Sequence, residues 1–532
     1  MKHILKCMKV FNGVLLAGGL LFTACTDHYE SWNINPNEVT PEQMERDNLL
    51  TGAYFTQMER GIFVVGKDKG GLFEETQMLT GDIFASYCAP IKTWNYAGEQ
   101  DNDCYKLYPQ WYNSPFSTAY TEVMQPWRKV VDCTSGTSPA RAMATIVKVF
   151  GMSRITDKYG PIPYSKFGTG IQVAYDSQKD VYYRFFEELS NAIEVLTSYN
   201  SRTSEPYLED YDYIYNGNVA NWIKFANTLR LRLAMRISAV DPDKARTEFL
   251  KGLENEFGVF EAEDERVAVS TKSGFTNPLG ELNRVWNETY MSAAMESILT
   301  GYDDPRLKVY FETCTDKAYA GEYRGIRQGT CFAHNHYAGL SKLSVDQSTD
   351  APLMSSAEIW FLRAEAALRG WIPEDEEECY QNGIKASLHQ RGIYQMDDYL
   401  NSERTAADFI DTQDPENNIP ARCLVSPKWN PADDKEIKLE KIITQKWIAL
   451  FPEGCEAWAE QRRTGYPRLF PVRFNHSRNG CIDTETMVRR LNFPGTLQTE
   501  DREQYLALVE ALGGPDHGGT RLWWDTGNNS LD

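Results

Sequence analysis

The chain has 532 residues, with 75 Asp plus Glu against 55 Lys plus Arg and a formal net charge of −20. Apolar residues make up 42% and charged residues 24%, a globular balance that excludes disorder, collagen and a polytopic membrane protein. The acidic surplus argues against a nucleic-acid partner, which needs Lys and Arg massed on one face. Seven His make a poor basis for a zinc hydrolase or a His-based triad.

The first 25 residues read as an address. Lys2, Lys6 and Lys9 form a basic n-region, and Val14 to Phe22 is an apolar stretch of nine residues. That is about half of the roughly 20 needed to cross a bilayer as a helix, so residues 1–24 are read as a secretion signal. The segment ends in Phe22-Thr23-Ala24-Cys25, which resembles a bacterial lipobox with Cys25 as the lipidated mature N-terminus; Phe22 departs from the usual Leu. Residues 25–38 then form a polar, lipidated tether. Removing residues 1–24 takes away three Lys and no carboxylate, so the mature charge is −20 less three, or −23.

Further along, Val219 to Ser238 is the clearest helix. Trp222, Phe225, Ala226, Leu229, Leu233 and Ile237 make an apolar stripe, with Asn218 as N-cap and Asp241-Pro242 ending the segment or starting the next. Lys224, Arg230, Arg232 and Arg236 on its other faces are read as partners of carboxylates on neighbouring helices, in preference to an anion site. A second block, Ser356 to Ile393, reads as helix, acidic turn and helix over roughly the 34 residues of a tetratricopeptide unit. Its first helix is apolar or small nearly all round and must be covered on more than one side. Ala364, Gly370, Tyr380 and Ile384 are placed to pack within it. Further helices are expected at 40–60, 117–132, 138–155, 180–199, 242–255, 289–300, 435–450, 454–463 and 500–512. No fixed-period repeat links them, and one domain, 39–532, is the economical count.

Long stretches rich in Gly, Asn, Asp and aromatics separate the helices at 61–116, 200–217, 257–288, 313–350 and 395–434. Loops of that length usually carry function. No phosphate loop, dinucleotide fingerprint, HExxH or GxSxG is present. Asp101-Asn102-Asp103 lacks the glycine and distal Glu of an EF-hand, so at most a surface calcium would sit there. His334 and His336 lack a third ligand. Nine cysteines follow Cys25 at irregular spacing, an odd number that leaves at least one thiol free, and most are read as small buried apolar residues. No catalytic residue, cofactor or metal is assigned.

Loop aromatics remain. Trp94-Asn95-Tyr96 and, around Trp286, the residues Arg284 and Tyr290 offer an apolar platform with polar neighbours. Such a platform stacks on a sugar ring while neighbouring amides and carboxylates bind its hydroxyls. Against this stands the alternative that these aromatics simply plug loops onto the scaffold.

The chain resembles the SusD/RagB family of Bacteroidetes outer-membrane lipoproteins, in its SusD-like subgroup. The lipobox followed by NINPN at Asn33 to Asn37, DKYGPIPYS at Asp157 to Ser165, and WIKFANTLRLRLAMRIS at Trp222 to Ser238 carry the resemblance. GYDDPRLKVYF from Gly301, SSAEIWFLRAEAALRGW from Ser355, IITQKWIALFPEGCEAWAEQRRTGYPRL from Ile442 and GGTRLWWD from Gly518 extend it in order to the C-terminal end. The resemblance implies a mostly α fold, with a tetratricopeptide-like scaffold of four helix pairs and irregular loops forming the ligand face. It also implies a lipid-anchored position on the outer membrane facing the cell exterior, and a TonB-dependent SusC-type barrel as partner. The expected function is non-catalytic glycan capture, with peptide capture of the RagB kind as the alternative. A surface hydrolase would need a carboxylate pair about 5–10 Å apart beside the platform.

Overall fold

Eight helices pair in sequence order to build the frame. The computed structural model describes residues 48–66, 69–91, 101–170, 174–269, 274–330 and 336–531. The signal, Cys25 and the tether lie outside the described residues. The chain divides into two units, Met1–Leu50 and Thr51–Asp532.

Helices of nine or more residues are numbered as α1 (Leu49–Gly61), α2 (Pro109–Ala119), α3 (Gln125–Cys133), α4 (Pro139–Tyr159), α5 (Gln178–Asn200), α6 (Val219–Arg236), α7 (Pro242–Leu253), α8 (Ala293–Tyr302), α9 (Ser356–Leu368), α10 (Glu376–His389), α11 (Lys435–Leu450), α12 (Gly454–Thr464) and α13 (Arg502–Leu512). Pairs α4–α5, α6–α7, α9–α10 and α11–α12 give a mostly helical, tetratricopeptide-like fold. Two small antiparallel ribbons complete it: β1 (Cys88–Ala89) with β3 (Tyr290–Met291), and β2 (Arg266–Val269) with β4 (Ala351–Ser355).

The helix starts follow local chemistry. Asn218 caps α6 through the Asn221 N–H, and Asp241 caps α7 through the Lys244 N–H. Helix α9 is buried on nearly every side, as its composition requires. Helix α10 reaches it closely because Gly383 faces the Phe361 ring, where a Cβ would fall 2.7 Å from ring carbon. Gly370, expected to pack between these helices, instead makes the turn that leaves α9, at φ +70°.

The stretch 61–116, expected as loop, contains a short helix Gly70–Phe73, a π-helical segment Glu74–Asp82 and α2. The π segment buries Thr76, Gln77, Thr80 and Asp82. Lys158 donates to the Thr76 carbonyl and the Thr80 hydroxyl, at 2.6 and 3.0 Å. A buried face built of polar residues leaves no apolar period to read. Likewise the single helix expected at 117–132 is α2, a π turn over Tyr120–Met124, and α3. The helix expected at 289–300 begins only at Ala293, because Tyr290–Met291 pairs as strand. All eight described cysteines are free, six of them buried.

Between the pairs lies a buried ionic network. Arg232 meets Glu358 at 2.5 Å; Arg236 meets Glu456 at 2.6 Å and Asp157 at 3.3 Å, and also bonds Glu460. Lys446 and Arg463 reach Glu460 at 3.0 and 2.8 Å, while Arg463 and Arg369 clasp Glu365 at 2.6 and 2.8 Å. Five cations thus face five carboxylates, with every side chain at most 10% exposed. Outside this cluster, Arg230 pairs with Glu248 on α7 and Lys224 with Glu265. The three arginines of α6 are therefore helix-to-helix partners, whereas Lys224 pairs with a carboxylate just before β2.

Burial pushes the Glu460 carboxyl up, but Arg463, Lys446 and Arg236 outweigh it and hold it well below the ordinary value. Glu365 and Glu456 are lowered in the same way against the same burial. Carboxylates depressed by folding add stability above their unfolded pKa of about 4.3 and lose it as pH falls through the folded value. Denaturant unfolding should therefore show a steep loss of stability below about pH 4. Glu460→Gln, which strands three cations, should cost about 3–5 kcal/mol at neutral pH in the same assay.

Candidate functional site

The β1–β3 ribbon is where the predicted platform is rooted. Ala89 pairs with Tyr290 and Cys88 with Met291, so the chain leading towards Trp94 starts beside the chain that follows Trp286. Trp94, Asn95 and Tyr96 themselves lie outside the described residues. Beneath the ribbon, Ala89, Ile91, Tyr290, Cys314, Ile326, Tyr337 and Leu340 form a small apolar cluster separate from the main core.

Trp286 is displayed by a fixed turn. Asn277 caps the short helix Pro278–Glu281 through the Leu279 N–H, and a π turn, Leu282–Trp286, follows. Buried Asn283 anchors that turn, donating to the Leu343 and Val345 carbonyls at 2.6 and 2.8 Å and accepting from the Thr289 hydroxyl at 3.0 Å. Asn287 closes it in the left-handed region at φ +60°, a conformation that Asn tolerates better than most residues. The outcome is that Val285 is 66% exposed and Trp286 38% exposed. Trp286 is the only tryptophan among the described residues that is exposed. Its ring edge lies over Gly71, whose missing Cβ would stand 3.5 Å away.

Arg284, on the same turn, donates to Glu312 at 2.6 Å, with both side chains well exposed. The hydrogen bond to Glu312 raises its pKa further. Tyr290 sits lower: it is 1% exposed, its hydroxyl donates to Asn287 at 2.9 Å, and Lys342 lies 5.8 Å from its ring centre. It supports the turn from below, whereas Trp286 and Arg284 face outward.

Asp101, Asn102 and Asp103 are buried, in contrast to the surface site considered for calcium. Asn102 donates to the Leu79 carbonyl at 2.7 Å and accepts from Tyr108 N–H at 3.1 Å, tying the chain to the π segment. Burial and the neighbouring Asp101 push Asp103 up to about 7. Among the described residues no group of three His, Cys, Asp or Glu is placed to hold a metal. His334 lies outside them.

Sequence reasoning missed the run 470–476 as part of this region. Arg473 N–H donates to the Gln328 carbonyl and Phe474 N–H to the Gly329 carbonyl, at 2.9 and 3.1 Å. The segment joined in this way reaches the ribbon, since Ile326 bridges Ser292. A short apolar-basic run without helical or alternating period gives no signal in the sequence.

No helix among the described residues is long and apolar enough to cross a membrane. The model of the SusD-like family, SusD and RagB outer-membrane lipoproteins, matches residues 31–525. The chain belongs to this family. Its fold is similar to a chitin-binding SusD homologue from Flavobacterium johnsoniae, with 40% identity and a TM-score of 0.85 over 90% of this chain and 99% of that one. A SusD homologue from Bacteroides vulgatus gives 39% identity and a TM-score of 0.86, covering 91% and 100% of the two chains. One from Bacteroides thetaiotaomicron gives 30% identity and 0.82, covering 89% and 98%. The search of curated proteins returned no match.

Asn283→Ala should loosen the Trp286 turn, costing about 1–3 kcal/mol locally. Hydrogen exchange should then speed up at the Glu288 amide, which normally donates to the Leu282 carbonyl, while α6 and α12 keep their protection.

Proposed function

We propose that this lipoprotein captures a glycan at the cell surface and delivers it to a TonB-dependent SusC-type barrel, without catalysis. The observation that carries the reading is the exposed indole of Trp286, held out on an anchored turn beside Arg284. An apolar ring face with one oriented charged group is what a sugar requires: C–H groups stack on the indole and hydroxyls accept from the guanidinium. The chitin-binding relative, 40% identical, supports a carbohydrate ligand. Trp94, Asn95 and Tyr96 complete the platform in this reading, because β1 starts their segment beside Tyr290. Cys25 carries the lipid, residues 25–38 act as tether, 39–532 act as one ligand-binding domain, and the ligand face looks away from the membrane.

Peptide capture is the second reading. It is favoured by a cleft of about 840 Å³ between residues 422–433 and α11, with Leu424 68% and Ile437 38% exposed on its walls.

Isothermal titration against soluble polysaccharides and a casein digest separates the two. Heat with a polysaccharide, weakened about tenfold or more in Trp286→Ala and Trp94→Ala while the unfolding midpoint stays unchanged, is the expected result. Heat with the digest alone, or full glycan affinity in both variants, overturns it.

A further inference from the structure

Three arginines meet beside the ribbon on a chain whose overall charge is −20. Arg327 is 9% exposed, and its guanidinium donates only to main-chain carbonyls: Asn417 at 3.1 Å and Pro471 at 3.3 and 3.4 Å. Burial and the nearby Arg473 and Arg422 lower its pKa, with Asp411 opposing. Asp411 is already occupied by the Gln413 and Asp414 amides and by the Tyr337 hydroxyl. The other two arginines hold carboxylates that stand in solvent. Arg473 pairs with Glu416 at 3.0 Å and Arg422 with Glu485 at 2.8 Å, where the glutamates are 78% and 63% exposed. Exposed pairs of this kind are worth about 0–1 kcal/mol, so another carboxylate can replace either glutamate at little cost. The buried Nε of Arg473 has no hydrogen-bond partner among the described residues.

An aromatic surface adjoins these charges. Phe474 is 43% exposed, the Arg473 guanidinium lies 4.6 Å from its ring centre, and His476 lies nearly parallel to it at 6.5 Å. Gly329, which receives Phe474, is three residues from Ile326 at the Ser292 bridge.

We infer that Arg422, Arg473 and the Phe474–His476 surface form an acidic-sugar subsite, taking a uronic acid whose ring stacks on Phe474 and whose carboxylate replaces Glu416 or Glu485. Two carboxylates already occupy these guanidinium groups, so the geometry suits the planar, two-oxygen carboxylate more than a sulfate. This rests on the glycan reading above and names the class of glycan.

The test titrates the full chain in detergent with oligogalacturonate, hyaluronan and alginate fragments, each against its methyl ester, and with a sulfated, uronate-free carrageenan fragment. One acid form should bind about tenfold or more tighter than its ester, and the advantage should shrink as salt rises. Arg473→Gln and, separately, Arg422→Gln should remove most of that advantage while leaving binding of the ester and the unfolding midpoint unchanged. Equal affinity for acid and ester, preference for the sulfated fragment, or variants that weaken both forms alike would overturn the inference. Binding of neutral glycans alone would overturn it and leave glycan capture standing, whereas the absence of heat with any glycan would remove both.

Discussion

The buried meeting of five cations and five carboxylates is the constraint on which the rest of the molecule depends. It draws on α4 for Asp157, on α6 for Arg232 and Arg236, on α9 for Glu358 and Glu365 with Arg369 just past its end, on α11 for Lys446, and on α12 for Glu456, Glu460 and Arg463. A hydrophobic core tolerates small slides between helices, because burial has no direction. An ion cluster out of water does not, since any charge pulled off its partner loses several kcal/mol. The network therefore fixes register between helix pairs, and the apolar stripes supply the bulk of the burial. Among the described residues, the stretches from Asp157, Trp222, Ser355 and Ile442 that resemble the SusD-like family fall on this machinery. Asp157 also receives Tyr182 and Trp524, and fully buried Arg306 is held by Asp304 and Gln445. Their spacing records folding, and the loop surface around Trp286 is built elsewhere.

That face is made from connections between frame elements. The segments at 84–91, 282–292, 324–330 and 470–476 meet through single ladder bonds, buried amides and the small apolar cluster around Tyr290 and Tyr337. Such a surface can change its outward side chains without disturbing the frame. Within this chain the result is an exposed indole and, on the run 470–476, an exposed Phe474 beside the ion-paired Arg473.

Much of the frame was legible in the sequence. Trp222 to Ile237 has an unbroken helical period, Asn218 and Asp241 are good caps, and the arginines of α6 have no polar face large enough to need all of them, so pairing with other helices was the sound reading. The π segment Glu74–Asp82 was illegible because Thr76, Gln77, Thr80 and Asp82 are buried alongside only two apolar side chains, Met78 and Leu79, with Lys158 from α4 satisfying Thr76 and Thr80. At the site, Trp286 and Arg284 could be singled out as an aromatic and a charge in a polar loop. That Tyr290 turns inward could not, since strand pairing with Ala89 decides it. The arginine group is invisible for a related reason: positions 327, 422 and 473 come together only through the fold.

The central claim is that a sugar rests on the Trp286 indole. The measurement that tests it most directly is a structure of the protein with a bound oligosaccharide drawn from whichever polysaccharide gives heat on titration. The account predicts a pyranose ring stacked on Trp286, with a hydroxyl in hydrogen-bond contact with Arg284. Density for the sugar in the cleft beside Leu424 and Ile437, with Trp286 bare, would contradict it.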